Sequence, residues 1–308
     1  MIRLAPQDIQ GTFAAALTFV DPHLAPDAGA CLTHCRWLLE NGCDGIALLG
    51  TTGEAASFSV AERRDLLDAL IAGGVPAERI IAGTGAAALS DAVELTAHAA
   101  RAGVAACLVI PPFYFKEVPE DGLFASYAAL IERLGGTDFN LFLYHFPQMS
   151  AVPIPHPVIR RLREAFPGTV AGLKDSSGDL KNMLALIEGF PGLRIFSGTE
   201  RYLLPVLEAG GAGCITAGGN ITSSEIGRLY RHWRDHGGGP EAEALQRRVT
   251  ELRGLLEGAP MIAAMKALIA RHRETPGLAR AMPPQRPLGE AEAEAFGAPL
   301  ESCGFTLP

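Results

Sequence analysis

The feature that most constrains this chain is a rhythm. Short apolar, β-rich runs recur near residues 13–17, 45–49, 80–82, 106–110, 141–144, 170–173, 194–196 and 214–216. Stretches of helical period separate them, at 27–41, 60–72, 91–101, 121–134, 157–166, 180–188 and 202–209. Ser59, Ser90-Asp91 and Asp179 stand where helix N-caps belong, and Gly42, Gly103, Gly189 and Gly210 stand just past helix ends. The runs are short and almost continuously apolar, as strands buried on both faces must be. Strands that alternate evenly with helices predict a closed parallel (β/α)8 TIM barrel. After Gly219 the pattern turns helical only, from about Ser223 to Arg273, and then extended and proline-rich. The expected organisation is a barrel over residues 1–220 that carries the active site, with a helical appendage over 221–308 packed on it.

Composition narrows the class of partner. The chain is 308 residues long and 48% hydrophobic, enough for a large core, and its formal charge of −8 disfavours nucleic acid and anionic membrane. The opening MIRLAPQDIQGTF lacks a signal-peptide layout, and no apolar stretch approaches the ~20 residues that a membrane span needs. A cytoplasmic enzyme is expected. Cys31, His34 and Cys35 share helical spacing that suggests a metal site, yet no second ligand cluster accompanies them. Core packing is the better reading of that cluster.

Chemistry in such a barrel gathers at the C-terminal ends of the strands. Those ends carry Gly50-Thr51-Thr52-Gly53-Glu54, Pro111-Pro112-Phe113-Tyr114, Tyr144-His145-Phe146-Pro147, Lys174-Asp175-Ser176-Ser177-Gly178 and Ser197-Gly198-Thr199-Glu200. Lys174 stands out, because a lysine that ends a buried strand needs a reason to be there. A neutral amine in a dry pocket attacks a ketone and forms an iminium, an electron sink for the neighbouring C–C bond. A tyrosine on a neighbouring strand would shuttle the proton. Thr51, Thr52, Gly50, Ser176 and Gly198 supply hydroxyls and open backbone suited to a carboxylate and its keto group. No metal or organic cofactor is implied.

GTTGE at 50–54, Y-x-x-P at 144–147, the lysine segment at 172–179 and GCITAGGN at 213–220 follow one another in order. Together they resemble the dihydrodipicolinate synthase/N-acetylneuraminate lyase family of class I aldolases, from about residue 10 to about 290. The resemblance implies Lys174 as the Schiff-base lysine and Tyr144 as the proton-transfer residue. It implies Thr51 and Thr52 as the seat of a pyruvyl carboxylate, and Ile215 as a pocket wall through its backbone. Tyr114 matches the tyrosine that completes a Tyr–Thr–Tyr relay across a subunit interface, and a homotetramer built as a dimer of dimers is implied with it.

Departures from the pattern bear on the substrate. Met149 stands where the synthases carry a carboxylate-gripping arginine, and a methionine makes no such contact. His145 replaces an asparagine, and is either a substrate ligand or a core histidine bonded to backbone. Glu200 and Arg201 replace the polyol-binding acid pair of the lyases, and Ala217 their serine. Arg201 suits a substrate with an anionic or hydroxylated far end. The expected substrate is a 2-keto-3-deoxy sugar acid or a related 2-oxo acid derived from pyruvate. Condensation of pyruvate with aspartate semialdehyde and dehydration of a 2-keto-3-deoxy acid are the alternatives within the family. Outside it, Gly83-Thr84-Gly85-Ala86-Ala87-Ala88 fits the G-x-G-x-x-A of dinucleotide-binding oxidoreductases, although the helix after it starts late.

Overall fold

The computed structural model describes residues 4–257 and 260–307. The first three residues of the leader reading, Gly258-Ala259 in the helical stretch and the final Pro308 lie outside them. Eight parallel strands close into a barrel among the described residues, each paired to the next and β8 to β1. In chain order the elements are β1 (Gly11–Ala15), α1 (Ala28–Glu40), β2 (Gly45–Leu48), α2 (Val60–Ala72), β3 (Ile80–Gly83), α3 (Leu89–Ala102), β4 (Ala106–Val109) and α4 (Glu120–Arg133). There follow β5 (Leu141–His145), α5 (Pro147–Ser150), α6 (His156–Ala165), β6 (Val170–Asp175), α7 (Leu180–Gly189), β7 (Arg194–Ser197), α8 (Leu203–Glu208) and β8 (Gly213–Thr216). The chain ends in α9 (Gly219–His236), α10 (Pro240–Leu256), α11 (Met261–His272) and α12 (Glu290–Ser302).

The strands are short because their C-terminal ends turn at once into polar loops. Inside the barrel Phe13, Phe142, Tyr144, Phe196 and Ile215 pack with small alanines, while residues such as Leu48, Leu143 and Leu173 face the helices. This is the alternation of side chains expected along a strand with two buried faces. Helix α2 opens on a full capping box, in which Ser59 and Glu62 satisfy each other's backbone N–H groups. Asp27 and Asp179 cap α1 and α7 in the same sense. Helix α9 follows β8 directly and packs on β1, completing the outer layer of the barrel. It is α10, α11 and α12 that lie beyond the eightfold repeat.

The glycines of the 83–88 stretch serve close packing. The α carbon of Gly83 lies against the Leu49 carbonyl and that of Gly85 against Ile110, so neither position has room for a side chain. The buried guanidinium of Arg63 donates to the carbonyls of Gly83 (2.9 Å) and Gly85 (3.1 Å). Helix α3 starts only at Leu89, so the glycines do not open it as a dinucleotide loop would.

The residues that hinted at a metal are core. Cys31, His34 and Cys35 are buried, and among the described residues no group of three or more His, Cys, Asp or Glu side chains is placed to hold a metal ion. His34 stacks on Trp37 and meets the edge of Phe19. Its Nε2 lies 2.9 Å from Asn220 Oδ1, which also accepts from Leu17 N–H, so Nε2 carries the proton. Nδ1 then accepts from Arg273 at 3.2 Å. Asn220 further donates to the carbonyls of Ala15 and Ala217, tying the end of β1 to the loop after β8. Among the described residues no helix is long and apolar enough to cross a membrane.

Burial holds the imidazole of His34 down at about 4, below its usual 6.5; the Asn220 bond opposes this and the Arg273 charge adds to it. The unfolded chain therefore takes up a proton that the fold refuses. Stability from this group is complete above about pH 6.5, falls as the pH drops toward about 4, and levels off below. The loss is on the order of 3 kcal/mol. Urea unfolding at pH 7.5 and 4.5 should show a smaller difference for His34→Gln than for the parent; an undiminished difference would contradict the assignment.

Candidate active site

Parallel register brings the central pair together. Tyr144 on β5 is the register partner of Lys174 on β6, which in turn pairs with Phe196 on β7. Leu173 and Asp175 point away from the barrel axis by strand alternation, which turns Lys174 inward beside Tyr144. Lys174 is 4% exposed. Its Nζ donates to Tyr144 Oη at 3.4 Å and sits 4.5 Å from the centre of the tyrosine ring. Tyr144 Oη is in turn 3.3 Å from Thr51 Oγ1 in the loop after β2. Amine, phenol and hydroxyl thus form one hydrogen-bonded line across three strand ends.

Backbone bonds fix the surrounding loops. Ser176 N–H donates to the carbonyl of His145, and Gly198 N–H to that of Asp175, which locks the loops after β5, β6 and β7 to one another. Asp175 is fully buried and accepts from Ser177 N–H (2.8 Å) and Asn182 Nδ2 (2.7 Å). A Cβ at Gly198 would run into Ser176 and the Asp175 carbonyl, so glycine is required there.

A cleft of about 730 Å³ opens over Lys174. Thr51, Thr52, Tyr144, Lys174, Ser176, Gly198 and Arg201 line it, as does Ala217. Gly50, Tyr114, His145, Met149, Glu200 and Ile215 do not. The Gly50 carbonyl accepts from Ala55 N–H. Ile215 is fully buried in the barrel interior. His145 is 8% exposed and its Nδ1 accepts from Ile154 N–H at 3.1 Å, so this ring is bonded to backbone. Burial holds its imidazole below the usual range, with the Asp175 charge opposing. Met149 lies on the short α5, 55% exposed to solvent. Tyr114 is 74% exposed and packs edge-to-face on Phe115.

Glu200 is withdrawn from the cleft altogether. Its carboxylate is wholly buried and accepts from Arg253 Nη1 at 3.0 Å and from Thr216 Oγ1. The other oxygen lies against the α carbon of Gly218. Arg253 also reaches Glu257 (3.1 Å), which Arg201 holds with two bonds of 3.2 and 2.7 Å. Burial raises the carboxyl of Glu257, but the two arginine bonds outweigh it and hold it below the usual range. The far wall of the cleft is therefore Arg201–Glu257–Arg253, with α10 supplying Arg253, and the alternation of charge continues behind the wall to the buried Glu200. Met261 and Ile262 of α11 close the same side.

Arg253, Glu257, Gln148 and the two α11 residues also line the cleft, and no motif in the sequence points to them. Gln148 carried no signal. Arg253 of α10 and Glu257, the residue just past its end, stand four apart with only Gly254, Leu255 and Leu256 between them, a spacing legible as a pair though not as part of a site.

The sequence profile of the dihydrodipicolinate synthetase family matches residues 8–301. The chain belongs to that family. It is similar to an uncharacterised DapA-like lyase of Chloroflexus aurantiacus, 39% identical over 270 residues that cover 87% of this chain and 88% of the relative. It is 32% identical to a 4-hydroxy-tetrahydrodipicolinate synthase of Synechococcus sp., over 79% of this chain and 78% of the synthase. The crystal structure of dihydrodipicolinate synthase from Agrobacterium tumefaciens superposes with a TM-score of 0.86 at 30% identity, covering 95% of this chain and 98% of that one. As a family member the protein is a lyase of the lysine Schiff-base kind.

Breaking the Arg253–Glu200 pair from one side should be costly, because it strands a buried carboxylate on Thr216 alone. Arg253→Met should lower stability by about 3–5 kcal/mol, and Glu200→Gln with Arg253→Met should restore most of it. Urea denaturation of the three proteins checks this; an Arg253→Met protein as stable as the parent would contradict the pairing.

Proposed function

We propose that this lyase cleaves or forms a C–C bond in a pyruvate-derived 2-oxo acid, with Lys174 as the nucleophile. The observation that carries the reading is the Lys174–Tyr144–Thr51 line at the floor of the cleft. In the cleavage direction the amine adds to C2 of the 2-oxo acid, and the carbinolamine hydroxyl leaves as water with the proton of Tyr144, forming the iminium and a phenolate. The C3–C4 bond then breaks with its electron pair drawn toward the iminium. The proton of the C4 hydroxyl passes to Tyr144, and an aldehyde departs. Protonation of C3 and attack of water on the iminium release pyruvate and the free amine. Thr51 and Thr52 hold the carboxylate through hydroxyl and backbone groups. No step calls on a metal or organic cofactor.

The cleft wall supports a hydroxylated tail over a second carboxylate. Among the described residues, both cations that line it, Arg201 and Arg253 beside the Schiff-base amine, are already engaged by Glu257 and Glu200. A second carboxylate would have to displace Glu257, whereas hydroxyls can accept from Arg201 and donate to Glu257 together. A 2-keto-3-deoxy sugar acid fits this wall. Met149, pointing into solvent, offers nothing to aspartate semialdehyde. The exposed Tyr114–Phe115 pair supports an assembly of copies, a homotetramer, in which Tyr114 reaches the relay of a neighbouring subunit.

Borohydride reduction in the presence of pyruvate should attach one carboxyethyl group to Lys174, located by peptide mass mapping, and none in Lys174→Ala. An unmodified Lys174 across a panel of 2-oxo acids would overturn the reading. Tyr144→Phe should lower turnover about 10²–10⁴-fold with little change in unfolding temperature. Light scattering at micromolar concentration should give the mass of a tetramer; a monomer at all concentrations would remove the role of Tyr114.

A further inference from the structure

One strong interaction lies outside the cleft. Lys266, in the middle of α11, is fully buried, and so is its partner Glu54, the last residue of the GTTGE turn. Both carboxylate oxygens of Glu54 are used: Oε2 receives Lys266 Nζ, and Oε1 receives the N–H of Met282 at 2.9 Å. The turn that presents Thr51 and Thr52 is thus tied to two segments more than 200 positions along the chain.

The turn needs such support. It begins and ends on residues with left-handed backbone, Leu49 (φ 55°) and Glu54 (φ 55°), neither of them glycine. Such conformations are costly for residues with a side chain and persist only where the surroundings impose them. An ion pair taken wholly out of water is a poor source of net stability, since an apolar pair of similar volume often does as well. What it supplies is a defined position. Helix α11 also places Met261 and Ile262 in the cleft wall, so the element that grips the turn borders the substrate space.

From this geometry we infer that Glu54 and Lys266 are positioning residues for the Thr51–Thr52 seat, and that they make the C-terminal helices part of the carboxylate site. The inference rests on the proposed role of these threonines. The ion pair acts as a unit, holding the turn in the conformation that receives the carboxylate before pyruvate arrives.

The test measures how much pyruvate is needed to half-saturate borohydride trapping at Lys174. In E54Q, in K266M and in E54Q/K266M that concentration should rise about tenfold or more, without adding in the pair, while trapping at saturation changes by less than about threefold. The paired variant removes the unmatched charge and keeps an acceptor for Met282, so it tests the role where a single variant does not fold. Hydrogen exchange on the unmodified protein tests it without any substitution: pyruvate should slow exchange at Met282 and along α11. Wild-type half-saturation in a folded variant, or unchanged exchange at Met282 and α11, would overturn the inference. A parent protein that pyruvate does not trap at all would instead overturn the Schiff-base reading on which it rests.

Discussion

The pairing of β5 with β6 is the constraint on which the site depends. Slip that register by one residue and Tyr144 turns out toward the helices while Lys174 still faces in. The register is held by backbone bonds along the strands and, past their ends, by Ser176 N–H on the His145 carbonyl. These loops need no long side chains to align, because adjacent parallel strands deliver their C-terminal ends to one face. Chemistry here follows from strand alternation and from which residue each strand places last.

A second layer of constraint comes from buried charge. Arg63 holds the carbonyls after β3, Arg253 holds Glu200 after β7, and Lys266 holds Glu54 after β2. Two of the three cations belong to helices beyond the eightfold repeat. The C-terminal helices therefore do more than cover the barrel; they reach under its loops and fix them. Burial pushes the Lys266 amine below its usual range, with Glu54 opposing that shift. Such groups are expensive to bury alone, so each is matched to carbonyls or to a carboxylate.

Much of this was legible in the sequence, for physical reasons. The eight apolar runs announced the barrel because strands covered on both faces have no polar alternation to hide them. Lys174 was conspicuous because a lysine at the end of such a run conflicts with its surroundings. Arg253 and Lys266 were not, because on a helix a charge is ordinarily a solvated face. Yet Lys266 is the one charge in M-I-A-A-M-K-A-L-I-A, a helix apolar on every side, and such a helix is buried. Glu200 misleads for the opposite reason: at a strand end it has the right chemistry, and only the fold brings Arg253 onto its carboxylate. His145 is open in the sequence between ligand and core histidine, and the Ile154 amide on its ring fits the latter. His34 was read with its neighbouring cysteines because spacing on α1 says nothing of Asn220, which arrives from α9.

If Lys174 carries the covalent step and Thr51 and Thr52 seat the carboxylate, pyruvate has one place to bind. A crystal of the protein soaked with pyruvate tests it most directly. Continuous density is expected from Lys174 Nζ to C2 of pyruvate, with the carboxylate against the hydroxyls and N–H groups of Thr51 and Thr52 and Tyr144 Oη within hydrogen-bond reach. Pyruvate bound without a bond to Lys174, or seated with its carboxylate on Arg201, would contradict it.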